Sequence, residues 1–160
     1  ASLSAATLAG LAALSGPRHG GMAARVEAFA AAAAGSGGAG GDWRKAARGA
    51  AAGGSGPPPG FGHPLYPDGD PRAAALLAAI EVPPALARLR DEVEAATGER
   101  ANMDYALTAL RQSLQMPAEA PFALFAVART AGWLAHAIEQ IETGALIRPR
   151  AKYVGANPAP

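Results

Sequence analysis

From its amino end the chain alternates alanine- and leucine-rich runs with glycine- and proline-rich breaks, and the runs carry helical periodicity. Ser4 to Ser15 predicts a first helix, stopped by Gly16-Pro17. Gly21 to Ala34 predicts a second, ended by GSGGAGG from Gly35 to Gly41, a flexible low-complexity linker. Asp42 is placed to cap a short helix through Arg48, before another glycine-rich break at Gly53 to Gly56.

Further along, the punctuation is sharper. Asp70 reads as an N-cap with Pro71 at the first helical position, leading into RAAALLAAI. Pro83 and Pro84 then break the chain, and ALARLRDEVEAATG predicts an amphipathic helix terminated by Gly98. Asn102 caps MDYALTALRQSLQ, and after Pro117 the run from Ala120 to Thr143 is the longest helix, stopped by Gly144. No segment alternates over strand length and no internal repeat is present, so the predicted class is all-α.

Composition narrows the picture. At 160 residues the chain is one domain or a large piece of one. Apolar residues make up 50%, much of it alanine, which predicts a close-packed core thin in large side chains. The net charge is +1 without a basic block, so neither a nucleic-acid nor a membrane partner is expected. With no cysteine, disulfides and thiolate metal sites are excluded, and no metal site is expected. No apolar run approaches the roughly 20 residues that span a bilayer. The opening ASLSAATLAGLAALSG lacks the basic flank of a signal peptide. It also lacks an initiator methionine and starts abruptly on a helical pattern, as a fragment does.

The candidate chemistry is concentrated in few residues. Of three histidines, His19 sits in GPRHGG and His63 in GFGHP, and glycines beside a functional side chain allow a substrate or backbone to come close. A loop histidine is also commonly just solvated. His19 precedes the helix starting near Gly21, where the dipole disfavours added positive charge, so a neutral imidazole there suits hydrogen-bond donation to a developing enolate. Asp104 lies in a helix's first turn, where a carboxylate is favoured for stability alone. Arg72 also occupies a first turn, where a cation is electrostatically misplaced, and such a departure often answers to function. Arg129 lies inside an apolar helix with Trp133 and His136 on the same stripe, and Arg148 follows the last helix. Their forked donors match carboxylates, ordinary surface ion pairs being the plainer alternative and the preferred one for Arg150 and Lys152.

Taken in order, these pieces resemble the citrate synthase family. GPRHGG is similar to the family's GPLHGG, GFGHPLYPDGDPRA to its GFGHRVYKNYDPRA, and ANMDYAL to its PNVDF. FAVARTAGWLAHAIEQ is similar to its helix bearing R-x-x-G-W-x-A-H-x-x-E, and LIRPRAKYVG to its closing RPRxxYxG. The resemblance runs from about Leu8 to Gly155 and corresponds to the C-terminal portion of the family's fold.

The resemblance implies a helical enzyme with a large and a small domain, working as a homodimer in the cytoplasm, with no permanently bound cofactor. It condenses oxaloacetate with acetyl-CoA, the coenzyme A thioester being a substrate. On this basis residues 1–18 are expected to end a large-domain helix, 19–115 to form the small domain with its catalytic loops, and 116–160 to return to the large domain. Asp104 is implied as the base that deprotonates the acetyl methyl group. His19 is implied as the donor to the thioester oxygen, and His63 as the group that polarises the ketone. Arg72, Arg129 and Arg148 are implied carboxylate clamps, Arg148 reaching a neighbouring subunit's site, and Pro59, Gly60, Phe61 and Gly62 are implied to touch coenzyme A. Where the family carries basic residues after the second histidine, this chain has Pro64 and Pro67, and Met22-Ala23-Ala24 replaces its A-N-E. The same residues serve a 2-methylcitrate synthase acting on propionyl-CoA, a citryl-CoA-cleaving relative, or a non-catalytic helical module for dimerisation or ligand sensing.

Overall fold

In the computed structural model the described residues are 2–16, 19–35, 43–52, 56–148, 150–152 and 154–155. Their regular structure consists of α1 (Leu3–Leu14), α2 (Met22–Gly35), α3 (Trp43–Ala52), α4 (Pro71–Ala78), α5 (Pro84–Thr97), α6 (Met103–Ser113) and α7 (Ala120–Thr143). The all-α expectation is met: among the described residues the β geometry is confined to an isolated antiparallel bridge between Phe61 and Ala101. None of these helices is long and apolar enough to cross a membrane.

The helix ends follow local chemistry. Asp70 accepts the Arg72 backbone N–H at 3.0 Å with Pro71 next in line, and Asn102 Oδ1 accepts from Asp104 N and Tyr105 N. Gly98 and Gly144 close α5 and α7 in the left-handed conformation, each donating its N–H back into the last turn. Three expected boundaries move by two residues or more, α6 among them, ending at Ser113 before Gln115 turns to φ +52°. α3 continues to Ala52, past Arg48, through alanines that favour helix. α4 ends at Ala78, which leaves Ile80 and Val82 free to pack against the core from the following turn. The expected cap Asp42, linker residues 36–41 and the break at 53–55 lie outside the described residues.

The core is built as the composition suggests, from alanines that let helices approach and a few large anchors. Val26, Ala30 and Ala33 of α2, Trp43 and Ala47 of α3, and Leu86, Leu89 and Val93 of α5 meet Tyr105 and Ala109 of α6. Phe61 and Ala101 join the same cluster from outside the helices. Tyr105 is fully buried, and its hydroxyl donates to the Leu86 carbonyl at 2.6 Å. Burial pushes the phenol pKa up, so this donor stays protonated. Arg111 of α6 pairs with Glu27 of α2 at 2.5 Å. The other packing unit is α1 against α7, where Gly10 lies beneath the indole of Trp133. Contacts between α6 and α7 join the two units.

Candidate active site

Three segments remote in sequence converge at the N-terminus of α6. The first is the turn between α1 and α2, which carries His19. Gly20 N–H donates to the Gly16 carbonyl at 2.8 Å, and a Cβ on Gly20 would lie 2.4 Å from the Ser15 carbonyl oxygen, so only glycine fits. The second is the loop carrying His63. Gly62 N donates to Arg100 O at 2.8 Å, and Asn102 N donates to Gly60 O at 2.9 Å, giving the Phe61–Ala101 bridge. Gly60 has φ +83°, and a Cβ there would sit 2.7 Å from Val26 Cγ2 and 3.1 Å from Tyr105 Cβ. The loop is thus wedged between α2 and α6, the two helices that follow His19 and carry Asp104.

The Asp104 carboxylate is the hub. It is 17% exposed, and its Oδ2 lies 3.8 Å from His19 Nδ1. That is beyond hydrogen-bond distance, so the two groups flank a space rather than saturate one another. Burial raises the Asp104 pKa above the ordinary carboxylate value, while nearby His19 and His63 act in the lowering direction. Asp104 and His19 open onto a cavity of about 220 Å³, with Ala23, Ala24, Pro121, Phe122 and Phe125 among its walls. Phe125 stacks on the His19 imidazole, ring centroids 5.4 Å apart.

His63 is half-buried, and its Nδ1 accepts the Leu65 backbone N–H at 3.1 Å. In the neutral ring this places the proton on Nε2, which is then a donor suited to a carbonyl oxygen. His63 does not line the cavity itself, and a positive charge on its ring would act to lower the Asp104 pKa. Its ring lies 4.9 Å from that of Tyr66, and the Arg72 guanidinium sits over the same tyrosine at 5.2 Å.

The arginines are placed unequally. Arg72 makes a bidentate pair with Asp70, Nε to Oδ1 at 2.9 Å and Nη2 to Oδ2 at 2.8 Å. The arginine's hydrogen bonds hold the Asp70 carboxyl below the usual range, and the cation misplaced in a helix's first turn is thereby neutralised locally. Arg129 is exposed on α7, one turn beyond Phe125, with its guanidinium folded along Gly132. His136 pairs with Glu139 rather than with Arg129. Arg148 is exposed in the segment after α7 and is not brought to the cavity. Of the loop residues, Pro59 and Gly62 are half-buried, Gly60 is buried by its packing, and Phe61 turns its ring into the core against Tyr105. Pro17 and Arg18 of the first motif, and Pro149 and Tyr153 of the last, lie outside the described residues.

Sequence reasoning missed Phe125, Tyr66 and Phe122. Phe125 lies one turn before Arg129, so an apolar ring at that spacing was the available signal.

Comparison with known proteins adds an independent line. Residues 1–150 match the family description "Citrate synthase, C-terminal domain". A relative from Mycobacterium tuberculosis, named as a citrate synthase, is 35% identical over 99% of this chain and 44% of its own length. Citrate synthase 2 from Bacillus subtilis is 36% identical over 61% of this chain and 29% of its own. 2-Methylcitrate synthase 2 from Corynebacterium glutamicum is 34% identical over 60% and 28%. The chain therefore spans less than half the length of these relatives.

Proposed function

Because this chain belongs to the citrate synthase family, we propose that it carries the enolising and condensing groups of an acyltransferase that joins a short acyl-CoA to oxaloacetate. The observation that carries this reading is the Asp104 carboxylate, mostly buried, 3.8 Å from His19 and within electrostatic range of His63. In this reading Asp104 takes a proton from the thioester's α-carbon while His19 donates to the thioester oxygen. The weak acidity of that carbon is overcome by stabilising the enol as it forms. The enol carbon then bonds to the ketone carbon of oxaloacetate, and the Nε2–H of His63 supplies the proton to the ketone oxygen. Water cleaves the thioester, releasing coenzyme A and the tricarboxylate. Each positioned acid–base group contributes roughly 10²–10⁴-fold.

Arg72, Arg129 and Arg148 are the proposed carboxylate clamps for oxaloacetate. Arg72 serves once the substrate competes with Asp70 for its fork, and Arg148 serves across a homodimer. Pro59, Gly60 and Gly62 offer backbone toward coenzyme A, the Phe61 ring being committed to the core. The pairing of α1 with α7, apart from the α2–α6 core, supports the expected division at 1–18, 19–115 and 116–160. The cytoplasm is the compartment this reading implies.

A second reading, 2-methylcitrate synthesis from propionyl-CoA, is favoured by the Corynebacterium relative's name and by the cavity of about 220 Å³ beside Asp104. That volume exceeds the 150 Å³ or so that houses a benzene ring. Oxaloacetate-dependent thiol release with acetyl-CoA and with propionyl-CoA, assayed on the protein as the cell makes it, separates the two. Absence of release with either would falsify the condensation reading and leave a non-catalytic helical module.

A further inference from the structure

We propose that Asn102 is a positioning residue that fixes His63 relative to Asp104, an inference that rests on the condensation reading above. The two functional groups stand 41 residues apart in sequence, and one planar amide touches the backbone of both. Asn102 Oδ1 accepts from the N–H of Asp104 itself at 3.0 Å and from that of Tyr105 at 3.3 Å. On the other side of the amide, Nδ2 donates to the Gly62 carbonyl at 3.0 Å. That carbonyl belongs to the peptide bond whose nitrogen is His63's. The orientation of the amide is set by its neighbours, because only oxygen can accept from two N–H groups and only nitrogen can donate to a carbonyl.

Past Gly62 N, the backbone pairing of the histidine is local to its own loop, His63 O accepting from Tyr66 N at 3.0 Å. Gly62 N and Gly60 O are tied to Arg100 and Asn102, but Gly62 O, the last acceptor before His63, is held by this side chain. Gly62 has φ +74°, so the chain changes direction there and small rotations swing His63. Capping and bracing are separable functions of one residue. Serine and aspartate cap helices about as well as asparagine. Aspartate carries no donor, and a serine hydroxyl stops one bond short of the position from which Nδ2 reaches Gly62 O. An aspartate would turn a carboxylate oxygen toward that carbonyl.

The test is Asn102→Ser, measured for two reactions. Enolisation needs only His19 and Asp104, and is read as washout of the acyl α-proton with a 2-hydroxy dicarboxylate filling the keto-acid site. Condensation needs His63 as well, and is read as oxaloacetate-dependent thiol release. The expected result is a thermal midpoint lowered by no more than a few degrees for the one lost hydrogen bond, wild-type washout and unchanged KM for the acyl thioester. The condensation kcat is expected to fall on the order of 10²-fold, as for a misplacement of about 1 Å. Washout and condensation falling in step, or a kcat that stays at wild type, overturns the proposal. If Asn102→Ser does not fold, Asn102→Asp keeps the shape of the residue and is judged by the same split. A wild-type protein with neither reaction overturns the condensation reading, and the bracing role with it. Loss of the split in the variants overturns the bracing role alone.

Discussion

Asp104 and Asp70 sit at the N-termini of two helices and are driven in opposite directions. Burial raises the pKa of Asp104, so its ionised form weighs against folding; the associated stability falls as pH rises from the ordinary value of 3.8 through the folded pKa. Asp104→Asn is therefore expected to melt higher than wild type at neutral pH, with the advantage vanishing below that ordinary value. Asp70, held down by Arg72, contributes stability that is present above 3.8 and lost as pH falls through its folded pKa. Asp70→Asn is expected to melt lower at neutral pH, and scans of both variants across pH check the two signs together. Removing His19 takes away a lowering influence on Asp104, so His19→Gln should raise its pKa further in a carboxyl NMR titration. Gly60→Ala forces a Cβ 2.7 Å from Val26 Cγ2 at φ +83° and is expected to cost about 2–4 kcal/mol by denaturant titration. Motif order made His19, His63 and Asp104 legible in the sequence. Arg72 was legible from its motif and as a cation out of place in a first turn, but its bidentate pair with its own N-cap, Asp70, was not. Phe125 escaped because its contact with His19 joins distant segments, although its place one turn before Arg129 was a signal, and Tyr66 because its contact with His63 lies in an irregular loop without periodicity.

The helices were the most readable feature, because proline, asparagine and glycine mark their ends by chemistry that acts within a few residues. Ala120–Thr143 and its Gly144 stop are an example. Packing between helices was not readable. Gly10 in the middle of α1 looks like a weak helix former, yet a Cβ there would lie 2.6 Å from Trp133 Cδ2 on α7. Gly10→Ala gains about 0.8–1.0 kcal/mol of helix propensity. Overpacking of about 1–3 kcal/mol opposes it. Net destabilisation is expected, with a changed tryptophan emission as α1 and α7 move apart; a variant more stable than wild type with unchanged emission contradicts that packing. The meeting of the His63 loop with α6 was equally hidden, since an isolated bridge, one asparagine side chain and the packing of Gly60 and Phe61 on Tyr105 make the junction.

At the level of the whole molecule, the arrangement concentrates preorganisation at one point. An alanine-rich core lets α2 and α6 come close, Gly60 wedges a loop between them, and the groups that follow are held without long flexible side chains. Arg129 and Arg148 are both exposed, away from this point, and the chain spans less than half the length of the relatives it matches. The most direct measurement is oxaloacetate-dependent release of coenzyme A by wild type and by Asp104→Asn at equal folded fraction. A fall of about 10²–10⁴-fold in kcat with little change in KM is predicted; turnover within a few-fold of wild type would mean that Asp104 is not the base.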